Sequence, residues 1–247
     1  MKVIDIGMYN GADTRYYLES GHDVIAIEAN PALCEAARER FGPYLKSGQL
    51  QILNVAVCNH PGPVELKVLG RDLGASSINS EAVRFPLGSF SVAAKSLPEI
   101  LQHYGKTDFI KVDIEGSDRE CVLSLTPETA PRYLSFEAPA EIDDLIGHLA
   151  RIGYRRFKVI QQTTFRSLPR QARITDRVTR RLIRTLGYDQ PRYVKRHGKF
   201  FLVEHSAGPP PWESDGRWES ADEVSLQWRQ ATKCGVLSSW YDVHTAR

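Results

Sequence analysis

The sequence predicts an α/β fold on a mostly parallel sheet with helices on both faces. Three observations carry this. Short apolar, β-branched runs recur: Val3-Ile4 with Ile6, Val24-Ile25-Ala26-Ile27, Ile52-Leu53 through Val57, and Phe109-Ile110-Lys111-Val112. Runs of that kind suit strands buried on both faces. Helical patterns fall between them, the alternation of a βαβ protein. The first strand also ends in a glycine-marked turn, Gly7-Met8-Tyr9-Asn10-Gly11.

In chain order, strands are expected at about 2–6, 24–28 and 51–57, with helices near 12–20 and 31–41. Asn30 is placed to cap the second helix, with Pro31 at its first position and Gly42-Pro43 as its stop. Pro61-Gly62-Pro63 turns the chain into an alternating, half-exposed strand, Val64–Leu69. Residues 70–90 read as a Gly/Ser/Asn loop, and Val92-Ala93-Ala94 as a short strand. Ser96 with Glu99, Ser117 with Glu120 and Ser220 with Glu223 have the spacing of capping boxes. Further strands are expected at 109–113, 133–137 and 156–160, with an amphipathic helix over 142–152 stopped by Gly153. Phe200-Phe201-Leu202-Val203 is expected to return antiparallel to 156–160. The division expected is a domain over 1–205 and a tail over 206–247 packed on it, which holds all four tryptophans, Trp212, Trp218, Trp228 and Trp240. Most of these read as anchors, with one or two available to line an acceptor pocket.

The 247 residues fit one large α/β domain with an appendage. No apolar run approaches the roughly 20 residues that span a bilayer, and no signal peptide is visible, so a cytoplasmic location is expected. Cys34, Cys58, Cys121 and Cys234 lack metal-like spacing and read as free thiols. Charge is uneven: residues 151–199 hold 12 Arg and 3 Lys against 2 Asp, a net +13, which leaves −11 for the remainder of a chain of +2. The insertion at about 166–198 carries Arg166, Arg170, Arg173, Arg177, Arg180, Arg181 and Arg184 at near-helical spacing. A solvated face is the ordinary reading; nucleic-acid or anionic-lipid binding is the alternative.

A strand, a glycine turn and a helix form a cradle for a nucleotide-like ligand. The spacing Asp-x-Gly-x-x-x-Gly is not that of a dinucleotide site, and Asp5 would repel a pyrophosphate, which disfavours a dinucleotide oxidoreductase. Glu28, closing the second strand about 20 residues beyond the turn, is placed to hydrogen-bond both hydroxyls of a ribose.

These segments resemble the FkbM-type methyltransferases. The resemblance rests on Ile4-Asp5-Ile6-Gly7-x-x-x-Gly11-x-x-Thr14, on Ile27-Glu28-Ala29-Asn30-Pro31 and, most specifically, on Asp108-Phe109-Ile110-Lys111-Val112-Asp113-Ile114-Glu115-Gly116. Val55-Ala56-Val57 before Gly62, and Ser76-Ser77, fit the same pattern, which covers roughly residues 1–165. The turn departs from it, with Met8-Tyr9 where the family usually has Ala-Asn. The resemblance implies a Rossmann-like class I methyltransferase fold with a mostly parallel seven-stranded sheet, and S-adenosylmethionine as cofactor. It implies that Asp5 and the Gly7–Gly11 backbone border the methionine and ribose, with Tyr9, Asn10 and Thr14 in the same stretch. It implies Glu28 at the ribose, Ala29 and Asn30 near the adenine edge, Asn54, Ala56 and Val57 on the adenine side, and Asp113 facing the sulfonium and acceptor.

Methyl transfer to an alcohol needs alignment and a group to take the proton. Asp113, Glu115 and Glu137, at or just past strand ends, are the candidate catalytic acids; two of them with a hydrated Mg²⁺ is the alternative. Glu115 also reads as an orienter of the Gly116 turn, and Lys111 as a partner for a neighbouring acid. The expected reaction is O-methylation of a hydroxyl on a sugar, glycan or small molecule; nucleic-acid methylation or binding through the basic segment is the alternative.

Overall fold

The computed structural model describes residues 1–59, 62–68, 88–114, 116–170, 193–196, 199–202, 206–237 and 240–247. His60, Ser76, Ser77, Glu115 and Arg173 to Arg184 lie outside the described residues. Among the described residues the main sheet has seven strands. The chain divides into two compact units, Met1–Arg132 and Tyr133–Arg247.

The first unit opens with β1 (Lys2–Ile6), α1 (Ala12–Glu19), β2 (Asp23–Glu28) and α2 (Pro31–Arg40). Val3, Ile4, Ile6 and Val24 to Ile27 are nearly inaccessible to solvent, as expected of strands covered on both faces. Asn30 caps α2 by accepting from the Ala32 amide at 3.0 Å. Gly42-Pro43 does not end the helical path: α3 (Gly42–Ser47) starts there. Proline is tolerated in a first turn, where its missing N–H would have had no partner. The strand expected over 51–57 is two. β3 (Leu50–Asn54) pairs parallel with β2, and β4 (Ala56–Val57) pairs with β7 (Ala94–Lys95). The break follows Asn54, whose side-chain amide donates to the carbonyls of Glu28 and Ala29. β5 (Val64–Val68) forms an antiparallel pair with β6 (Gly88–Val92). α4 (Leu97–Tyr104) has both bonds of the Ser96–Glu99 capping box. β8 (Phe109–Val112) runs parallel to β1, giving the order β8-β1-β2-β3. α5 (Asp118–Leu123) has no side-chain cap from Ser117. The expected box is replaced because Asp118 turns back to the preceding loop, as described below.

The second unit holds β9 (Tyr133–Glu137), α6 (Asp143–Arg151) and β10 (Arg156–Gln161). The partner of β10 corrects the expectation for residues 200–203. β12 (Lys199–Leu202) pairs with β11 (Tyr193–Arg196). The antiparallel neighbour of β10 is β13 (Tyr241–Ala246), which also pairs with β9. The last strand is therefore the centre of the unit's sheet, in the order β10-β13-β9. α7 (Ala221–Lys233), capped by the Ser220–Glu223 box, lies earlier in the same tail. Trp228 is buried from α7, donates its indole N–H to Ala140 O at 3.0 Å and meets Tyr241 edge-on. Trp212 packs on Tyr133, and Trp218 lies under Lys158, so these three act as anchors; Trp240 is exposed. Arg170, at the start of the basic segment, pairs with Glu219 and Glu223.

Ending the chain after Val236 removes the strand that β9 and β10 share. The second unit of that truncated protein should be degraded by limited proteolysis under conditions in which the full chain resists; equal resistance would show β13 to be dispensable.

Candidate functional site

The C-terminal ends of β1, β2, β3 and β8 converge with the turn Gly7–Gly11. Gly7 and Met8 both donate to Ile27 O, at 2.9 and 3.0 Å, so the turn is laid over the end of β2. Gly7 sits at φ +83, and a Cβ there would lie 1.7 Å from Asp113 O. The glycine thus serves the close approach of the Asp113 backbone. Gly11, at φ +77, would place a Cβ 2.6 Å from the Phe41 ring. Met8 is buried and Tyr9 takes φ +50, so the two residues that depart from the family pattern form the inner side and crest of the turn. Asn10 Oδ1 accepts from Ala12 N at 3.0 Å and opens α1, while the Arg40 guanidinium donates to the Asn10 carbonyl.

Glu28 closes β2 half-buried. Its Oε2 accepts from the Tyr9 amide at 2.9 Å and its Oε1 from the Asn30 amide at 2.8 Å. Burial pushes the carboxyl pKa up, against the pull of the backbone N–H groups of Asn30, Tyr9 and Ala29. Each carboxylate oxygen can accept a second hydrogen bond. Asn30 is 1% exposed, and its Nδ2 has no hydrogen-bond partner among the described residues. A buried amide donor without a partner is uncommon and calls for a ligand acceptor or water. Asn54 fixes the carbonyls of Glu28 and Ala29 from β3; Ala56 and Val57 are buried beyond it.

Asp5 has no exposed surface and accepts from Thr14 Oγ1 at 2.6 Å. Asp5 and Thr14 therefore support the turn from below. Lys111, itself 4% exposed, lies 3.4 Å from Asp5 Oδ1, 3.2 Å from Asp13 Oδ2 and 3.2 Å from Asp113 Oδ2. Its ammonium also donates to Gly7 O. Burial raises the Asp5 pKa, assisted by Asp13 and opposed by Lys111 and Thr14. Burial alone would lower the Lys111 pKa, but Asp5, Asp113 and Asp13 together raise it well above the ordinary lysine value. Sequence reasoning gave Lys111 one acidic partner and did not single out Asp13; the signal was a lysine inside an otherwise apolar strand.

The Asp113 side chain is 32% exposed. Asp118, which sequence reasoning also passed over, accepts from Ile114 N at 3.1 Å and Gly116 N at 3.3 Å. It shapes the loop that follows Asp113. Burial, then the charge of Asp113, push its pKa up to about 6 against those backbone bonds. Glu137 belongs to the second unit, at the end of β9, in register with Asp242 of β13. Among the described residues no group of three His, Cys, Asp or Glu is placed to hold a metal ion, and no helix is long and apolar enough to cross a membrane.

Parallel strands whose C-terminal ends carry a glycine turn, a strand-closing glutamate and an open aspartate are the arrangement of the Rossmann-like methyltransferase class. The methyltransferase FkbM domain matches residues 5–156, and the chain belongs to that family. Similar solved structures include a precorrin-6y C5,15-methyltransferase from Geobacter metallireducens, 13% identical over 64% of this chain and 65% of that one, with a TM-score of 0.39. Methyltransferase FkbM from Methylobacillus flagellatus is 16% identical over 63% of this chain and 38% of that one, with a TM-score of 0.40. The StiE O-MT domain is 9% identical over 100% of this chain and 67% of that one, with a TM-score of 0.42. This chain thus spans less than two thirds of the first two. No curated protein matches it.

Two predictions follow from the packing. Gly7→Ala forces a methyl group into the Asp113 carbonyl at a strained φ, and should cost at least about 3 kcal/mol, or roughly 10 °C in melting temperature by thermal denaturation. Asp118, with its folded pKa raised to about 6 from 3.8, binds its proton more tightly folded than unfolded. Its stabilising protonation is complete below about pH 3 and lost as pH rises through 6. The unfolding free energy of wild type minus that of Asp118→Asn should therefore fall by about 3 kcal/mol between pH 3 and 7 in denaturant titrations.

Proposed function

We propose that this protein is an S-adenosylmethionine-dependent O-methyltransferase acting on a hydroxyl of a sugar, glycan or small molecule. The observation that carries the cofactor is Glu28: its two oxygens are pinned by the Tyr9 and Asn30 amides at 2.9 and 2.8 Å and each retains acceptor capacity. A carboxylate so held matches the vicinal hydroxyls of a ribose. The unpartnered Asn30 Nδ2 beside it offers a donor for a ring nitrogen or a water at the adenine edge. The residues present fit the cofactor.

When bound, S-adenosylmethionine supplies a methyl group on a sulfonium whose departure leaves a neutral thioether. The protein's task is then alignment of an acceptor about 3 Å from that methyl. The Gly7–Gly11 turn and Glu28 fix one partner. Asp113, with one oxygen held by Lys111 and the other open, is placed to orient an acceptor hydroxyl and take its proton. That open carboxylate supports an oxygen acceptor over a carbon acceptor. The family's general pattern supports a carbohydrate or natural-product hydroxyl.

The test is calorimetric binding of S-adenosylhomocysteine and, in parallel, NADH. Wild type should bind the former with micromolar affinity and the latter not at all. Glu28→Gln, which keeps the shape but removes the charge, should weaken binding by at least about tenfold. NADH binding without S-adenosylhomocysteine binding, or full affinity in Glu28→Gln, would overturn the reading.

A further inference from the structure

Lys111 occupies a position where an apolar residue is expected. All four residues of β8, Phe109 to Val112, are buried. A lone ammonium there would cost several kcal/mol unless paired. It is paired with carboxylates from three places: Asp5 of β1, Asp13 of α1 and Asp113 just past β8. The Tyr17 phenol of α1 also faces the ammonium, and Asp118 faces Asp113. The three partners are not equivalent. Asp5 and Asp13 are buried, whereas the Asp113 side chain is 32% exposed. Lys111 holds Oδ2 of Asp113, and Oδ1 accepts no hydrogen bond among the described residues. The same ammonium donates to Gly7 O, at the base of the cofactor turn. Lys111 has almost no surface of its own, so its influence on a ligand runs through Asp113 and the Gly7 turn, and only the charge of Asp113 distinguishes a sulfonium from a thioether.

We propose that Lys111 is a positioning residue for methyl transfer: it clamps Asp113 by one oxygen to the base of the cofactor turn and so aims the other oxygen at the place where sulfonium and acceptor meet. The inference rests on the methyltransferase reading above. It predicts a charge preference. Only S-adenosylmethionine carries the sulfonium charge, so a correctly aimed Asp113 favours it over S-adenosylhomocysteine.

The experiment measures calorimetric affinities for both ligands, with thermal unfolding as the check of folding. The variants are Asp113→Asn, Asp13→Asn, the pair Asp13→Asn/Lys111→Gln, and that pair with Asp113→Asn added. The pair removes one charge of each sign, so the net charge of the cluster is kept. Wild type and Asp13→Asn should prefer S-adenosylmethionine by on the order of tenfold. Asp113→Asn should abolish the preference. The pair should lose the preference that Asp13→Asn keeps, and adding Asp113→Asn to the pair should change nothing further. The exchange made with Asp5→Asn in place of Asp13→Asn gives a second reading if the first pair does not fold. A pair that keeps the preference, or an additional loss from Asp113→Asn within it, would overturn the positioning role while leaving the methyltransferase reading intact. Binding of neither ligand would overturn both.

Discussion

One buried ammonium shared by three carboxylates ties together β1, α1 and the end of β8 in the first unit. Each of these groups alone would be costly to bury, and removing one partner from such a cluster costs more than the pair contributes. Asp5, Asp13 and Asp113 between them offset the burial of Lys111, and the Thr14 hydroxyl on Asp5 completes the inner side. Because the partners come from β1, α1 and the end of β8, the register of those elements and the pose of Asp113 are set together. Asp5, Asp13 and Lys111 are buried and Asp113 is partly exposed, so solvent screens chiefly the last.

The cradle is shaped first by the protein's contacts with itself. Gly7 admits the Asp113 carbonyl and Gly11 admits the Phe41 ring, both at positive φ. With those approaches made, the turn lies over Ile27 and presents the Tyr9 amide to Glu28. Substitution in the turn thus displaces Asp113 on one side and Glu28 on the other, although neither is adjacent in sequence.

What was legible in the sequence is what is local. The apolar runs of β1, β2, β8 and β9 appear where expected because burial on both faces leaves an unbroken apolar signature. The boxes at Ser96–Glu99 and Ser220–Glu223 form because both partners lie within one turn. The same pattern at Ser117–Glu120 fails because Asp118 bonds the Ile114 and Gly116 amides instead, a competition that spacing cannot rank. Glu28 was legible as a strand-end residue, Asn30 as a helix cap and Asn54 only through the family resemblance; the Lys111 cluster was not, because Lys111 and Asp5 are 106 residues apart. The place of β13 was hidden for a related reason: Tyr-Asp-Val-His-Thr-Ala looks like an edge, yet it is buried throughout and pairs on both sides.

A polar strand at the centre of a sheet needs partners for its side chains, and His244 finds one in the tail. His244 of β13 and Ser214 share a hydrogen bond of 2.8 Å. Its register partner Lys158 donates to Ser214 O at 2.7 Å and stands 4.2 Å above the Trp218 ring. Burial lowers the Lys158 pKa to about 8, and burial with the nearby Lys158 charge holds His244 well below the ordinary imidazole value. A neutral imidazole has one donor and one acceptor nitrogen, which suits a hydroxyl partner better than a charged ring would. Ser214 and Trp218 thus answer His244 of β13 and its neighbour Lys158 of β10, while Asp242 Oδ1 accepts from Gln162 Nε2 at 2.9 Å and Thr245 Oγ1 has no hydrogen-bond partner among the described residues.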